Sequence, residues 1–193
     1  AKVARDMIRL LIGDITKLRD VEVIVNAANG IGVMGAGVAG AIARSGGEAF
    51  CDEVREIGRS QGPFAPGSVY ASSSGAMNKM GIQAVYHAVT MMYPGTQSSI
   101  DDVVQSVRNT CKQAIEDGRK SIAFPGLGTG IGGLNKRQVA QRMATVLFEY
   151  HSQIDITVVD INEDFVLLVK EALGVKREPN NDLEPEQAIS STE

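Results

Sequence analysis

Apolar residues along the chain fall into two spacings. Short continuous or alternating runs at residues 7–12 (MIRLLI), 21–27 (VEVIVNA), 67–71, 82–89, 121–124 (SIAF) and 154–159 (IDITVV) predict buried strands. Between them apolar residues recur at helical intervals: Phe50, Val54 and Ile57; Ile100, Val103, Val104, Val107, Cys111 and Ile115; Val139, Met143, Val146, Leu147 and Tyr150; and Phe165, Val166, Val169 and Leu173. Small and apolar residues at 38–43 suit a further helix opening just after a run of glycines. Ser99 before Asp102 and Asn135 before Gln138 are helix-start arrangements, and Gly118 and Gly174 stand where two stripes end. Strands and helices alternate, which predicts an α/β fold with helices on both faces of a sheet.

The pattern stops at Lys176. The remainder, REPNNDLEPEQAISSTE, carries two prolines and five acidic residues against one Arg. It has little apolar surface to bury, so residues 1–176 read as one domain and residues 177–193 as an acidic disordered tail. The 193-residue chain has a net charge of −4, which argues against a bulk electrostatic grip on nucleic acid. No apolar run approaches the length of a membrane span. Cys51 and Cys111 form no C-x-x-C and read as two buried reduced thiols, which fits a cytoplasmic protein. His87 and His151 are the only histidines, so no metal-ligand cluster is visible and no metal or cofactor is expected. His87, inside VYHAV, reads as a core residue.

Twelve of the 21 glycines lie in two stretches, residues 30–47 and 126–133. Each stretch follows a predicted strand and precedes a predicted helix, where backbone N–H groups and a helix N-terminus converge on an anion. Two such loops suit a diphosphate held from both sides; each alone would also serve as a tight connection. Gly35-Ala36-Gly37-Val38-Ala39-Gly40 is a literal G-x-G-x-x-G, the spacing of a dinucleotide-binding turn. Residues 28–34 separate it from its strand, however, and the acidic residues about 20 positions on, Glu53 and Glu56, fall on a helical stripe. An NAD-dependent oxidoreductase is therefore a distant alternative. Neither stretch contains the Gly-Lys-Ser/Thr of a Walker loop.

Four stretches, in order, resemble the macrodomain family: Gly13-Asp14-Ile15-Thr16, Val25-Asn26-Ala27-Ala28-Asn29, Gly35-Ala36-Gly37-Val38-Ala39-Gly40-Ala41-Ile42, and Phe124-Pro125-Gly126-Leu127-Gly128-Thr129-Gly130-Ile131-Gly132-Gly133. The resemblance covers residues 7–174. It implies a three-layer α/β/α fold with a mixed central sheet, and a site for ADP-ribose or an ADP-ribosylated protein. Asp14, with the Ile15 backbone beside it, would accept from the adenine amino group; the same Asp also suits a turn or N-cap. Asn29 would bond the distal ribose hydroxyls and is the candidate catalytic residue, but it also suits a turn that stabilises its own loop. Gly35, Ala36, Gly37 and Val38 would hold the phosphates from one side. Gly126, Gly128, Thr129, Gly130, Ile131 and Gly132 would hold them from the other, and a side chain at Gly128 is expected to stand where phosphate sits. Asn162 would flank the adenine, or start a helix.

The chain also departs from the family. Many hydrolases of the family carry an Asp where this chain has Ala39, often a His at Ala43, and an aromatic at Gly132. An adenine-stacking aromatic is missing at Val159-Asp160. Another branch attacks the sugar with a Lys that Thr90-Met91-Met92 does not offer. The implied functions are ADP-ribose binding with slow de-ADP-ribosylation or ADP-ribose 1″-phosphate hydrolysis, or a non-catalytic reader or scavenger of ADP-ribose. The oligomeric state is not legible.

Overall fold

Strands β1 (Arg9–Gly13), β2 (Val23–Asn29), β4 (Ala84–Met91), β5 (Ser121–Phe124) and β6 (Asp155–Asp160) run parallel in the centre of one sheet. They are apolar on both faces, as parallel strands covered by helices must be. The computed structural model describes residues 8–130, 132–176 and 190–192 of the chain. At one edge β3 (Val69–Ser73) pairs antiparallel to β4; at the other, β7 (Ser190–Thr192) runs beside β1. The order β3-β4-β2-β5-β6-β1-β7 makes the sheet mixed, as expected. The segment read as a tail lies outside the described residues except for Ser190–Thr192, which pair with Leu11–Gly13 at the sheet edge rather than standing alone.

Alternate residues of each strand enter two separate cores. Leu10, Val23, Val25, Tyr86, Ile122, Phe124 and Val158 pack against α3 (Ile100–Glu116), α4 (Lys136–Tyr150) and α5 (Glu163–Lys176). Leu11, Ile24, Val85, Val89, Ala123 and Val159 face the other way, onto α1 (Gly37–Gly46) and α2 (Glu48–Gln61) through Ile42, Phe50 and Val54. The result is the three-layer arrangement.

The helix starts form as their sequences dictate. Ser99 Oγ accepts from the Asp102 amide at 3.4 Å, and Asn135 Oδ1 from the Gln138 amide at 3.1 Å. Gly118, at φ +75°, takes the left-handed conformation just past α3. Several expectations shift. β1, β2, β3 and β4 each start two residues later than expected, at Arg9, Val23, Val69 and Ala84. α5 runs through Gly174 to Lys176. Residues 75–80 form a 3₁₀ turn that no apolar periodicity announces. Cys111 is buried, and burial pushes its thiol up to about 12. Cys51 is only half-buried, contrary to the expectation, and its Sγ lies 3.8 Å from the Ala43 carbonyl.

This topology creates a crevice at the carboxyl ends of the parallel strands. β2 leads to α1 on one face of the sheet, whereas its neighbour β5 leads to α4 on the other. Adjacent strands whose connections diverge leave an opening between them, and ligands of open α/β sheets bind there.

Candidate functional site

The opening is a cleft of about 650 Å³, within the usual range for a small-molecule site. Strand order sets what lines it. Asn29 ends β2, Pro125 and Gly126 follow β5, Asp160 ends β6 with Ile161 and Asn162 after it, and Gly13 ends β1 with Asp14 after it. Asn29 and Asp14 are thus three strand spacings apart, about 14 Å. The candidate ligand-binding residues all line this one cleft, apart from Ile131, which lies outside the described residues.

The glycines divide by function. Gly30, Gly32 and Gly58 are where the chain after β2 threads between α2 and the segment beyond it. A Cβ on Gly30 would stand 2.1 Å from the Phe64 carbonyl oxygen, one on Gly32 2.3 Å from that of Val54, and one on Gly58 2.2 Å from that of Ile31. Gly40 lets α1 approach the Gly35 carbonyl, which a Cβ would meet at 2.8 Å. Gly35 and Gly37 instead border open space. The first helical amides of α1 follow immediately, and Ala36 supplies no side-chain cap for them. The G-x-G-x-x-G thus combines two open glycines with one packing glycine.

The second loop divides in the same way. Gly130 borders open space, but a Cβ on Gly128 would point into the core, 2.9 Å from Val103 Cγ2 and 3.0 Å from Leu134 Cδ1. The expectation that a side chain at Gly128 would stand in the phosphate position is therefore corrected; it would first collide with the core. Gly132 has no room either, with Ser98 Oγ at 2.6 Å from a Cβ and the Gly128 carbonyl at 2.7 Å. The loop is shaped by Leu134 N–H donating to the Gly128 carbonyl and by Gly126 N–H donating to Asp160 Oδ2 at 2.8 Å.

The polar side chains at the ends of the cleft are partly committed to their own loops. Asp14 Oδ1 accepts from the Thr16 amide at 2.9 Å and the Thr16 hydroxyl at 2.7 Å, capping the short 3₁₀ turn Ile15–Lys17. Its Oδ2 has no hydrogen-bond partner among the described residues. Asn29 Oδ1 accepts from the Ile31 and Val33 amides, and Nδ2 donates to the Val33 carbonyl at 2.8 Å. That leaves the second Nδ2 hydrogen outside the turn. Asn162 Oδ1 accepts from the Phe165 amide at 2.9 Å, so it starts α5 while lining the cleft. His87 is fully buried behind the site, and desolvation lowers its pKa to about 3, so it is a neutral core residue.

A family model for the Macro domain matches residues 25–143 of the chain. The chain belongs to the macrodomain family. A protein of Aquifex aeolicus, described only as uncharacterized, is 35% identical to this macrodomain over 171 residues, 88% of this chain and 99% of that one. An O-acetyl-ADP-ribose deacetylase of Cronobacter sakazakii is 34% identical over 172 residues, 86% of this chain and 93% of that one. The Trypanosoma brucei macrodomain in complex with ADP-ribose superimposes with a TM-score of 0.70 at 25% identity, covering 86% of this chain and 68% of that one. Nothing in these likenesses supports the oxidoreductase alternative.

Several cleft residues of this macrodomain escape sequence reasoning. Arg44, three residues beyond the lining Ala41 on α1, and Lys136, at the first turn of α4, place two cations along the cleft. Asp160 also lines it, but its Oδ1 accepts from the Asn162 amide and its Oδ2 from that of Gly126, so it organises two loops. Phe165, reached from α5, supplies a buried ring beneath Gly126. The helical spacing of Arg44 from Ala41 was a usable signal; the reach of Phe165 and Asp160 under Gly126 was not. Ala39 lines the cleft and is 9% exposed, so a side chain enlarged at this position would enter the site. Among the described residues no group of three His, Cys, Asp or Glu side chains converges as metal ligands would.

Proposed function

We propose that this macrodomain binds ADP-ribose and terminal ADP-ribosyl groups of proteins, with adenine at Asp14 and the distal ribose at Asn29. The observation that carries the reading is the convergence of two open glycine turns on the middle of one cleft whose ends carry an acceptor and a donor. Asp14 Oδ2 suits an exocyclic amine, because a carboxylate only accepts. The remaining Asn29 hydrogen suits a ribose hydroxyl. Between them, the first-turn amides of α1 and the positive charge of Arg44 and Lys136 suit a diphosphate. The ADP-ribose complex of the Trypanosoma brucei relative and the deacetylase name of the Cronobacter relative support this choice of ligand. The two free cysteines favour a reducing, cytoplasmic setting.

Hydrolysis of an ADP-ribosyl ester needs a water held near a base. The acidic side chains of the cleft are Asp14 and Asp160. Both oxygens of Asp160 are engaged, and Asp14 lies at the far end from Asn29. Turnover is therefore slow, and binding is the principal activity. Losing a positioned base typically costs about 10²–10⁴ in rate. Single-turnover assays on O-acetyl-ADP-ribose, an ADP-ribosyl-glutamate protein and ADP-ribose 1″-phosphate test this. Ala39→Asp, which puts a carboxylate into the cleft, raises the rate. Fast wild-type turnover that the Asn29→Ala variant retains would refute the assignment.

A further inference from the structure

The site's Asn29 turn rests on a buried column that binding and catalysis leave unexplained. Tyr70 on β3, His87 on β4 and Asn26 on β2 stand side by side in register across three strands, on the face covered by α1 and α2. Phe64, Tyr70 and His87 stack nearly parallel, with ring centroids 4.4 and 4.8 Å apart, and Phe50 continues the column 6.4 Å from His87. His87 is fixed at both nitrogens, by Ser72 Oγ at 2.9 Å and Asn26 Nδ2 at 3.1 Å.

Two contacts connect this column to the cleft. The Tyr70 hydroxyl donates to the Asn29 carbonyl at 3.0 Å. Asn26 Nδ2, besides facing His87, lies 3.6 Å from Met34 Sδ. The turn is thus held at its beginning and just past its end, while the Asn29 side chain closes it from within. An isolated phenol would rotate freely. This one is 7% exposed and clamped between Phe64 and His87, so its hydroxyl is fixed in direction. A carbonyl held from behind fixes the orientation of its own residue, and the spare Asn29 hydrogen then faces the cleft at a constant angle.

We propose that Tyr70 is a positioning residue for the distal-ribose end of the cleft, acting through the Asn29 carbonyl and the turn that follows it. The inference rests on the ADP-ribose reading of the site. It makes a prediction that a merely structural role does not, because only ligands with a distal ribose depend on the angle of Asn29.

The test compares ADP-ribose and ADP binding by calorimetry in wild type, Tyr70→Phe and Phe64→Leu. Tyr70→Phe keeps the ring stack and removes one neutral hydrogen bond, so affinity for ADP-ribose falls about fivefold. Affinity for ADP stays within twofold. Phe64→Leu loosens the stack and leaves the hydroxyl, giving a smaller loss with the same ligand dependence. Amide hydrogen exchange of Ile31 and Val33, both held by Asn29 Oδ1, accelerates in Tyr70→Phe while α3 and α4 keep wild-type protection. Equal loss for both ligands, or no loss for either, overturns the proposal; should Tyr70→Phe fail to fold, Phe64→Leu decides it by the same criterion. A wild-type protein that binds ADP-ribose no more tightly than ADP would overturn the reading of the site itself, and this inference with it.

Discussion

Exchanging Gly128 and Gly35 in turn separates the glycines that build the cleft from those that face the ligand. Gly128 sits at φ +77°, where any other residue costs about 1–2 kcal/mol. Its Cβ would also press on Val103 at 2.9 Å and Leu134 at 3.0 Å, and overpacking a core of this kind costs about 1–3 kcal/mol. Gly128→Ala is therefore expected to lower stability by about 2–5 kcal/mol, read as an earlier urea midpoint at unchanged slope. Gly35 has no left-handed backbone and no atom within 4 Å of a Cβ. Gly35→Glu changes stability by no more than about 0.5 kcal/mol. It adds a negative charge beside the proposed diphosphate and weakens ADP-ribose at least tenfold, about 1.4 kcal/mol. Equal destabilisation by the two substitutions would refute the division of the glycines. Unchanged ADP-ribose affinity in Gly35→Glu would refute the placement of the phosphates.

Asp14→Ala is expected to weaken ADP-ribose, ADP and AMP alike by about 1 kcal/mol, whereas Asn29→Ala weakens ADP-ribose more than ADP; calorimetry with all three ligands checks both, and a uniform loss in both variants would contradict the ends assigned. His87 gives a pH signature. Its folded pKa lies near 3, below an imidazole's usual 6.5, so its contribution is complete above pH 6.5 and declines as the pH falls toward 3, because only the unfolded chain takes up the proton. Stability from this source falls by about 1.4 kcal/mol per pH unit in that window. Urea titrations of His87→Gln between pH 7 and 4 should show a correspondingly flatter decline, and a slope equal to wild type would remove His87 as the cause.

Much of this architecture was legible because it is local. The apolar runs, the Ser99 and Asn135 caps and the glycine after α3 are written within a few residues of where they act. The loops that edge the cleft were legible for the same reason, since strand ends and the loops after them are contiguous in the chain, whereas Arg44, Lys136 and Phe165 reach it from helices. The work of individual glycines was not, because Gly30 answers to Phe64, Gly32 to Val54 and Gly128 to Val103, each a contact made only by folding. Asp160 illustrates the same limit. Its sequence neighbours mark a strand end, while its partner, Gly126, lies in the loop after the adjacent strand. The double duty of Asp14 and Asn29 was open in the sequence, and the structure gives each residue a local bond and a spare polar group.

One cleft is proposed to hold both ends of ADP-ribose. Calorimetric titration of the wild-type protein with ADP-ribose, ADP, AMP and NAD tests it most directly. ADP-ribose is expected to bind at about micromolar affinity, near −8 kcal/mol, with ADP weaker and AMP weaker still. Equal affinity for AMP and ADP-ribose, or no binding of ADP-ribose, would contradict it.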